Sequence, residues 1–455
     1  MNTSFFSRRD ILRRSSAGFG YLAFASMAAE SAVRDAVGPL AVKSTHFPAT
    51  AKRVIFLCMR GGPSQMETFD PKPELSARHG QAGRVPKTKL LGSRWQFAKH
   101  GESGIDVVEL MPEIAKHADK LCVLRGMTTD NENHPQALEQ LHTGSFQFVR
   151  PSMGAWAVHG LGTENASLPG FISINPLTAL GGIRYYSSAF LPAACSATML
   201  GNINQPGAPL TLGDISNPNL TTVAQRGQLD LLQAMNRDLL AKTADPRVEG
   251  LIESYELAFR MQGELPRVMD LSGESKATLQ LYGADKSPTD HFGKQCLLAR
   301  RFAEAGVRFI EISHTEWDLH GSLFSGMTRN CAQIDKPIAG LLQDLDQRGL
   351  LADTLVLWGG EFGRSPDDAS LDGRGHNNKG YSMWMAGGGV KGGHIHGATD
   401  ELGYAAVDGK VHTHDLHATM LHLLGLDHER LTYRHGGRDF RLTDVKGRVV
   451  QEIMS

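Results

Sequence analysis

The sequence predicts an α/β protein: a mostly parallel sheet, helices on both faces, and a partly helical insertion in the middle of the chain. Three observations carry that expectation. The last third alternates short apolar runs with stretches of helical periodicity, the pattern of a parallel sheet covered by helices. Two further apolar runs, over 53–59 and 121–124, read as buried strands. Hydrophobic residues make up 41% of the 455, enough for a sizeable core, and large α/β chains of this length often form one unit.

The first 30 residues read as an address. Ser7-Arg8-Arg9-Asp10, with Arg13 and Arg14, precedes a mild apolar run over 17–29 that is too short to span a bilayer. A paired arginine ahead of a modest apolar run and small residues is the twin-arginine type of signal peptide. The twin-arginine translocase is therefore the expected export partner, and the expected destination is the periplasm or another extracytoplasmic space, reached folded. Residues 31–50 read as a loose linker and 51–455 as a single domain. No later segment has the ~18 uninterrupted apolar residues that an integral membrane span requires.

Within the domain, the strand over 53–59 ends at the turn Arg60-Gly61-Gly62-Pro63-Ser64. The strand over 121–124 leads through a loop to a helix over 135–142. Residues 163–218 are rich in Gly, Pro and Asn and read as loops, whereas 221–283 read as helical; an insertion is expected over about 163–285. A helix near 290–305 then feeds a strand over 308–312. A helix near 328–348, with Ile334, Ile338, Leu341, Leu342 and Leu345 at helical spacing, feeds a strand over 354–358. A strand over 381–386 and a helix over 414–424, with Asp415 as a candidate N-cap, complete the chain.

The formal net charge of −1 gives no global electrostatic case for nucleic acid or an anionic membrane. The five cysteines are odd in number and none lies in a C-x-x-C pair, which argues against a disulfide framework and against a thiolate zinc site. The 19 histidines cluster toward the end, where imidazole chemistry becomes available.

In open α/β sheets the site lies beyond the carboxyl ends of the strands. Asp318 and His320 follow the strand over 308–312, Glu361 and Arg364 follow 354–358, and Asp130, Glu132 and His134 follow 121–124. His376 precedes 381–386. Carboxylates and imidazoles converging from four segments suit a divalent ion such as Zn, Mn or Mg/Ca, one or two in number. Lys72 and Arg364 are candidates for an oxyanion, since a guanidinium fork matches phosphate or sulfate. Gly387-Gly388-Gly389-Val390-Lys391-Gly392 spells G-x-G-x-x-G, but the residues after it cannot readily open a helix, so it reads as a turn. His412, His414 and His417 read as structural.

Several motifs together resemble a known family. They are Gly61-Gly62-Pro63-Ser64 with Thr68-Phe69-Asp70-Pro71-Lys72-Pro73, Trp317-Asp318-Leu319-His320-Gly321, Gly359-Gly360-Glu361-Phe362-Gly363-Arg364, and Gly437-Arg438-Asp439-Phe440. Residues 52–450 resemble the domain-of-unknown-function family 1501, sulfatase-like exported proteins distantly related to the alkaline phosphatase superfamily. That resemblance implies an alkaline-phosphatase-like fold and hydrolysis of phosphate or sulfate esters, on a small molecule or a glycan, with divalent metal. By the same resemblance Asp318, His320 and His376 hold one metal, and Glu361 stands where the superfamily has an Asp of a second. Phe362 stands where phosphatases have a second-metal His, and Arg60 where they have an Asp, for which Asp70 or Gln65 is a substitute. The nucleophile slot falls on His134, which is read as a nucleophile, a metal ligand or a structural residue. The alternative function is an inactive relative that serves as an exported binding or assembly protein.

Overall fold

Seven consecutive buried residues, Arg53–Met59, form the strand at the middle of the molecule. The computed structural model describes residues 38–178, 182–202, 210, 217, 219–243 and 245–455, so the twin-arginine segment expected over 1–30 lies outside them. In chain order the sheet strands are β1 (Arg53–Met59), β2 (Leu121–Thr128), β3 (Phe171–Ile174), β4 (Thr198–Leu200), β5 (Phe309–His314), β6 (Thr354–Gly359), β7 (Tyr381–Ala386), β8 (His394–His396) and β9 (Val411–His412). The main helices are α1 (His134–Thr143), α2 (Met153–Leu161), α3 (Thr222–Thr243), α4 (Pro246–Met269), α5 (Asp290–Glu304), α6 (Leu323–Gln347) and α7 (Thr413–Leu423).

The sheet runs β8-β2-β7-β6-β1-β5-β3-β4, with β9 beside β2. β1 pairs in parallel with both β5 and β6, and Cys58 lies opposite Ser313 on one side and Gly359 on the other. β7 alone among the described sheet strands is antiparallel to its neighbours, β2 and β6. Its reversal brings the segment ahead of it, with His376, to the edge where the other strands end. The sheet is thus mostly parallel and flanked by helices, with α3 and α4 as a helical insertion.

Three expectations need correction. The stretch read as loops contributes β3 and β4 to the sheet, where β3 continues the parallel order from β5. Four buried residues, Phe171-Ile172-Ser173-Ile174, suffice for that strand, and the Gly- and Pro-rich surroundings obscured so short a run. Asp415 is not the N-cap of α7; His412 is, and Asp415 sits at N3, where its carboxylate accepts the His412 backbone N–H in a capping box. Residues 38–50, read as linker, are pinned to the domain: Lys43 N–H donates to Leu161 O, and Thr50 and Ala51 donate to Leu423 O.

The core lies against this sheet. Ile334, Ile338, Leu341, Leu342 and Leu345 of α6 are all fully buried, each worth about 1.5–3 kcal/mol of apolar transfer. No helix among the described residues is long and apolar enough to cross a membrane.

Candidate metal centre

The turn after β1 meets the loop after β5 at van der Waals limits. Gly61 adopts φ 109°, and a Cβ there would collide with the backbone nitrogen of Asp318. Only glycine permits so close an approach with that backbone. The Gly61 N–H donates to Glu361 Oε1 at 3.0 Å, tying the β1 and β6 ends together.

Four donors gather above this edge: Nε2 of His134, Oδ1 of Asp318, and Nε2 of His320 and of His376, all within 4.8 Å of one another. Asp318 Oδ1 lies 3.1 Å from His134 Nε2, 3.0 Å from His320 Nε2 and 3.6 Å from His376 Nε2. The last two nitrogens are 2.9 Å apart. Bonds of about 2.0–2.1 Å at tetrahedral angles would separate neighbouring donors by roughly 3.4 Å. The donor spacing therefore fits a divalent ion.

The imidazole tautomers point the same way. His134 Nδ1–H donates to Glu361 Oε1 at 2.6 Å, and His376 Nδ1–H donates to the Glu132 carbonyl at 2.6 Å. Each bond leaves the Nε2 lone pair facing the centre, the form a metal requires. His134 Nε2 is buried and makes no directed hydrogen bond despite its closeness to Asp318. A proton and a metal compete for that nitrogen. Burial works against the charged imidazole of His134, but Asp318 and Glu361 overcome it and lift its pKa to about 9. Burial alone would raise the Asp318 carboxyl, yet the close approach of His134 and His376 and the hydrogen bond from Arg364 hold it far below the usual carboxylate range.

Three residues stand elsewhere than the sequence reading placed them. Glu361 is not among the four converging donors; it is buried behind His134 and acts on that ring. Arg364 does not offer a free fork. Its guanidinium is 1% exposed, and it donates to the carbonyls of Gly61, Gly62, Trp317 and Arg374 and to Asp318 Oδ1. Lys72 pairs with Asp70 at 2.8 Å, and Asp70 also accepts the Thr399 hydroxyl. Gln65 bridges the Arg364 backbone N–H and C=O. Neither Asp70 nor Gln65 joins the donors. Phe362 packs its ring 4.7 Å from those of His134 and His376, an apolar wall where a second-metal His was absent. His414 Nε2–H donates to Gly144 O and His417 Nε2–H to Leu141 O, tying α7 to the end of α1.

The chain belongs to the family described as protein of unknown function (DUF1501), which it matches over residues 51–454. No curated protein matches it. Among solved structures it is similar to the lipoteichoic acid synthase LtaP from Listeria monocytogenes, at 10% identity and a TM-score of 0.36, over 90% of this chain and 79% of that one. It is also similar to the PsFucS1 sulfatase from Pseudoalteromonas sp., at 12% identity and a TM-score of 0.37, over 83% of this chain and 68% of that one. A third likeness is to the alkaline phosphatase of the Antarctic bacterium TAB5, at 10% identity and a TM-score of 0.33, over 82% and 98% of the two chains.

Proposed function

We propose that this DUF1501 chain is an exported, metal-dependent hydrolase of phosphate or sulfate esters, carried folded by the twin-arginine route to an extracytoplasmic space. The observation that supports it best is the convergence of His134, Asp318, His320 and His376, with the His134 and His376 rings oriented from behind. A divalent ion held by these four residues supplies Lewis acidity toward an ester oxygen and acidifies water.

The residues around it have separable tasks. Glu361 holds the His134 ring and the Glu132 carbonyl holds His376, so neither imidazole must reorganise. Arg364 is a positioning residue: it locks Asp318 and helps keep it ionised. Phe362 excludes water from one side of both rings. The side chains of Asp318 and His320 are about half exposed, so the centre opens toward solvent on their side, as a site that admits substrate must.

His134 has Nδ1 committed to Glu361 and Nε2 turned to the centre, 3.1 Å from Asp318 Oδ1. It serves here as a ligand rather than a nucleophile, and attack by water replaces a covalent intermediate. The same observation favours a second reading, an exported binding protein that keeps a metal but has no nucleophile of its own.

Elemental analysis of the purified protein beside an Asp318→Ala/His376→Ala variant tests the site. Zn, Mn or Fe at this centre in the parent and its loss in the folded variant are expected. A panel of aryl phosphates and sulfates then separates the readings: metal-dependent turnover supports the hydrolase, and metal without turnover on any ester supports the binding protein. Identical metal content in the two proteins would remove both.

A further inference from the structure

We propose that Cys58, His142 and Glu311 form a second metal site, sealed inside the domain, that takes a thiophilic divalent ion such as zinc before the fold closes around it. Cys58 comes from β1, Glu311 from β5 and His142 from the last turn of α1. One ligand atom from each lies within 4.8 Å of the others. Their exposures are 0%, 1% and 0% for Cys58, His142 and Glu311.

The donor chemistry is oriented. His142 Nδ1–H donates to the Leu138 carbonyl at 2.8 Å, which turns Nε2 toward Glu311 Oε1, 3.0 Å away. The parallel register sets Glu311 opposite Phe56 and Ser313 opposite Cys58, so the thiol and the carboxylate rise from adjacent strands. Glu311 Oε2 is buried and has no hydrogen-bond partner. A buried carboxylate oxygen left bare is costly, and a cation at that oxygen removes the cost. A thiolate and a carboxylate carry two negative charges, which one divalent ion neutralises. Arg60 and Glu361, the other charges that act on Cys58, oppose each other.

Sulfur, imidazole nitrogen and carboxylate oxygen are all zinc ligands, and thiolate biases the choice away from Mg or Ca. Burial keeps the free Cys58 thiol protonated, so binding displaces that proton. An absent C-x-x-C pair argues against thiolate zinc within one segment. It does not address three segments that the sheet and α1 bring together.

The site and the open centre above the sheet edge are tested separately. The Asp318→Ala/His376→Ala variant is expected to retain one equivalent of metal through native dialysis against a chelator, and to release it on unfolding. Refolding that variant with Co²⁺ is expected to produce a thiolate-to-cobalt charge-transfer band in the near ultraviolet, lost in the additional Cys58→Ser change. A folded edge-site variant with no retained metal, or retained metal with no thiolate band, overturns the proposal. Both measurements are made without altering Cys58, so they decide even if Cys58→Ser does not fold.

Discussion

Helix α1 carries a histidine at each end, about two turns apart, and each faces a buried glutamate, Glu361 from the turn after β6 and Glu311 from β5. At the outer end Glu361 takes the Nδ1–H of His134, so the carboxylate stands behind the ring and Nε2 is presented to Asp318, His320 and His376. At the inner end the Leu138 carbonyl takes Nδ1–H, and Glu311 stands in front of the ring at Nε2. The same residue pair is therefore an orienting device in one place and, in metal-free protein, an ion pair in the other. What separates them is which nitrogen meets the carboxylate, and whether solvent reaches the far side.

The sharpest way to break the comparison is to remove each glutamate in turn. Glu311→Ala strands a buried imidazole whose charge Glu311 supports against burial. Loss of one partner of a buried pair costs about 3–5 kcal/mol, so urea denaturation is expected to show a drop of that size. Glu361→Gln keeps the shape of the side chain but loses the carboxylate behind His134. Metal affinity at the edge is expected to fall about 10–100-fold, with a smaller change in unfolding free energy than Glu311→Ala. Competition with a chromogenic chelator reads the first quantity and urea melts the second. Equal stability losses with unchanged metal affinity would mean that both glutamates are structural.

The two ends of α1 differed in how far the sequence exposed them. β1 and β7 were legible to the residue, because each is a short apolar run closed by glycine or a turn. Asp318, His320 and His376 were legible because strand ends in an open α/β sheet collect site residues. Glu361 leaves the expected strand and lies behind His134; chain spacing tells which strand a residue leaves, not whether its carboxylate stops one ring short of the centre. His134 stayed open among three roles, since its role depends on the partner behind it. Cys58, His142 and Glu311 share no motif and lie on three separate segments. The one signal was an acidic residue between two isoleucines in a strand, at Glu311. β3 was hidden because four residues are too few to show a period.

The last contrast is in acid. Beside the inner end of α1, His417 Nε2–H donates to the Leu141 carbonyl, and burial holds this imidazole neutral with a pKa of about 3. The unfolded chain binds that proton near pH 6.5, so as pH falls below 6.5 the unfolded state gains protons that the folded state refuses. The stability is fully present above pH 6.5 and is lost as pH drops toward 3, at up to about 1.4 kcal/mol per unit from this one group. His134, lifted to about 9 in the metal-free protein, has the opposite sign: its contribution is present below pH 6.5 and fades as pH rises through 9. Urea melts of metal-free protein between pH 5 and pH 9 are expected to lose stability at both ends. His417→Gln should make only the acid limb shallower, a limb that His159 and His314 share, and His134→Gln only the alkaline one, which His142 shares. If His417→Gln left the acid limb unchanged, the imidazole beside α1 would already be charged in the fold, and the separation between a neutral core and a proton-gathering edge would fail.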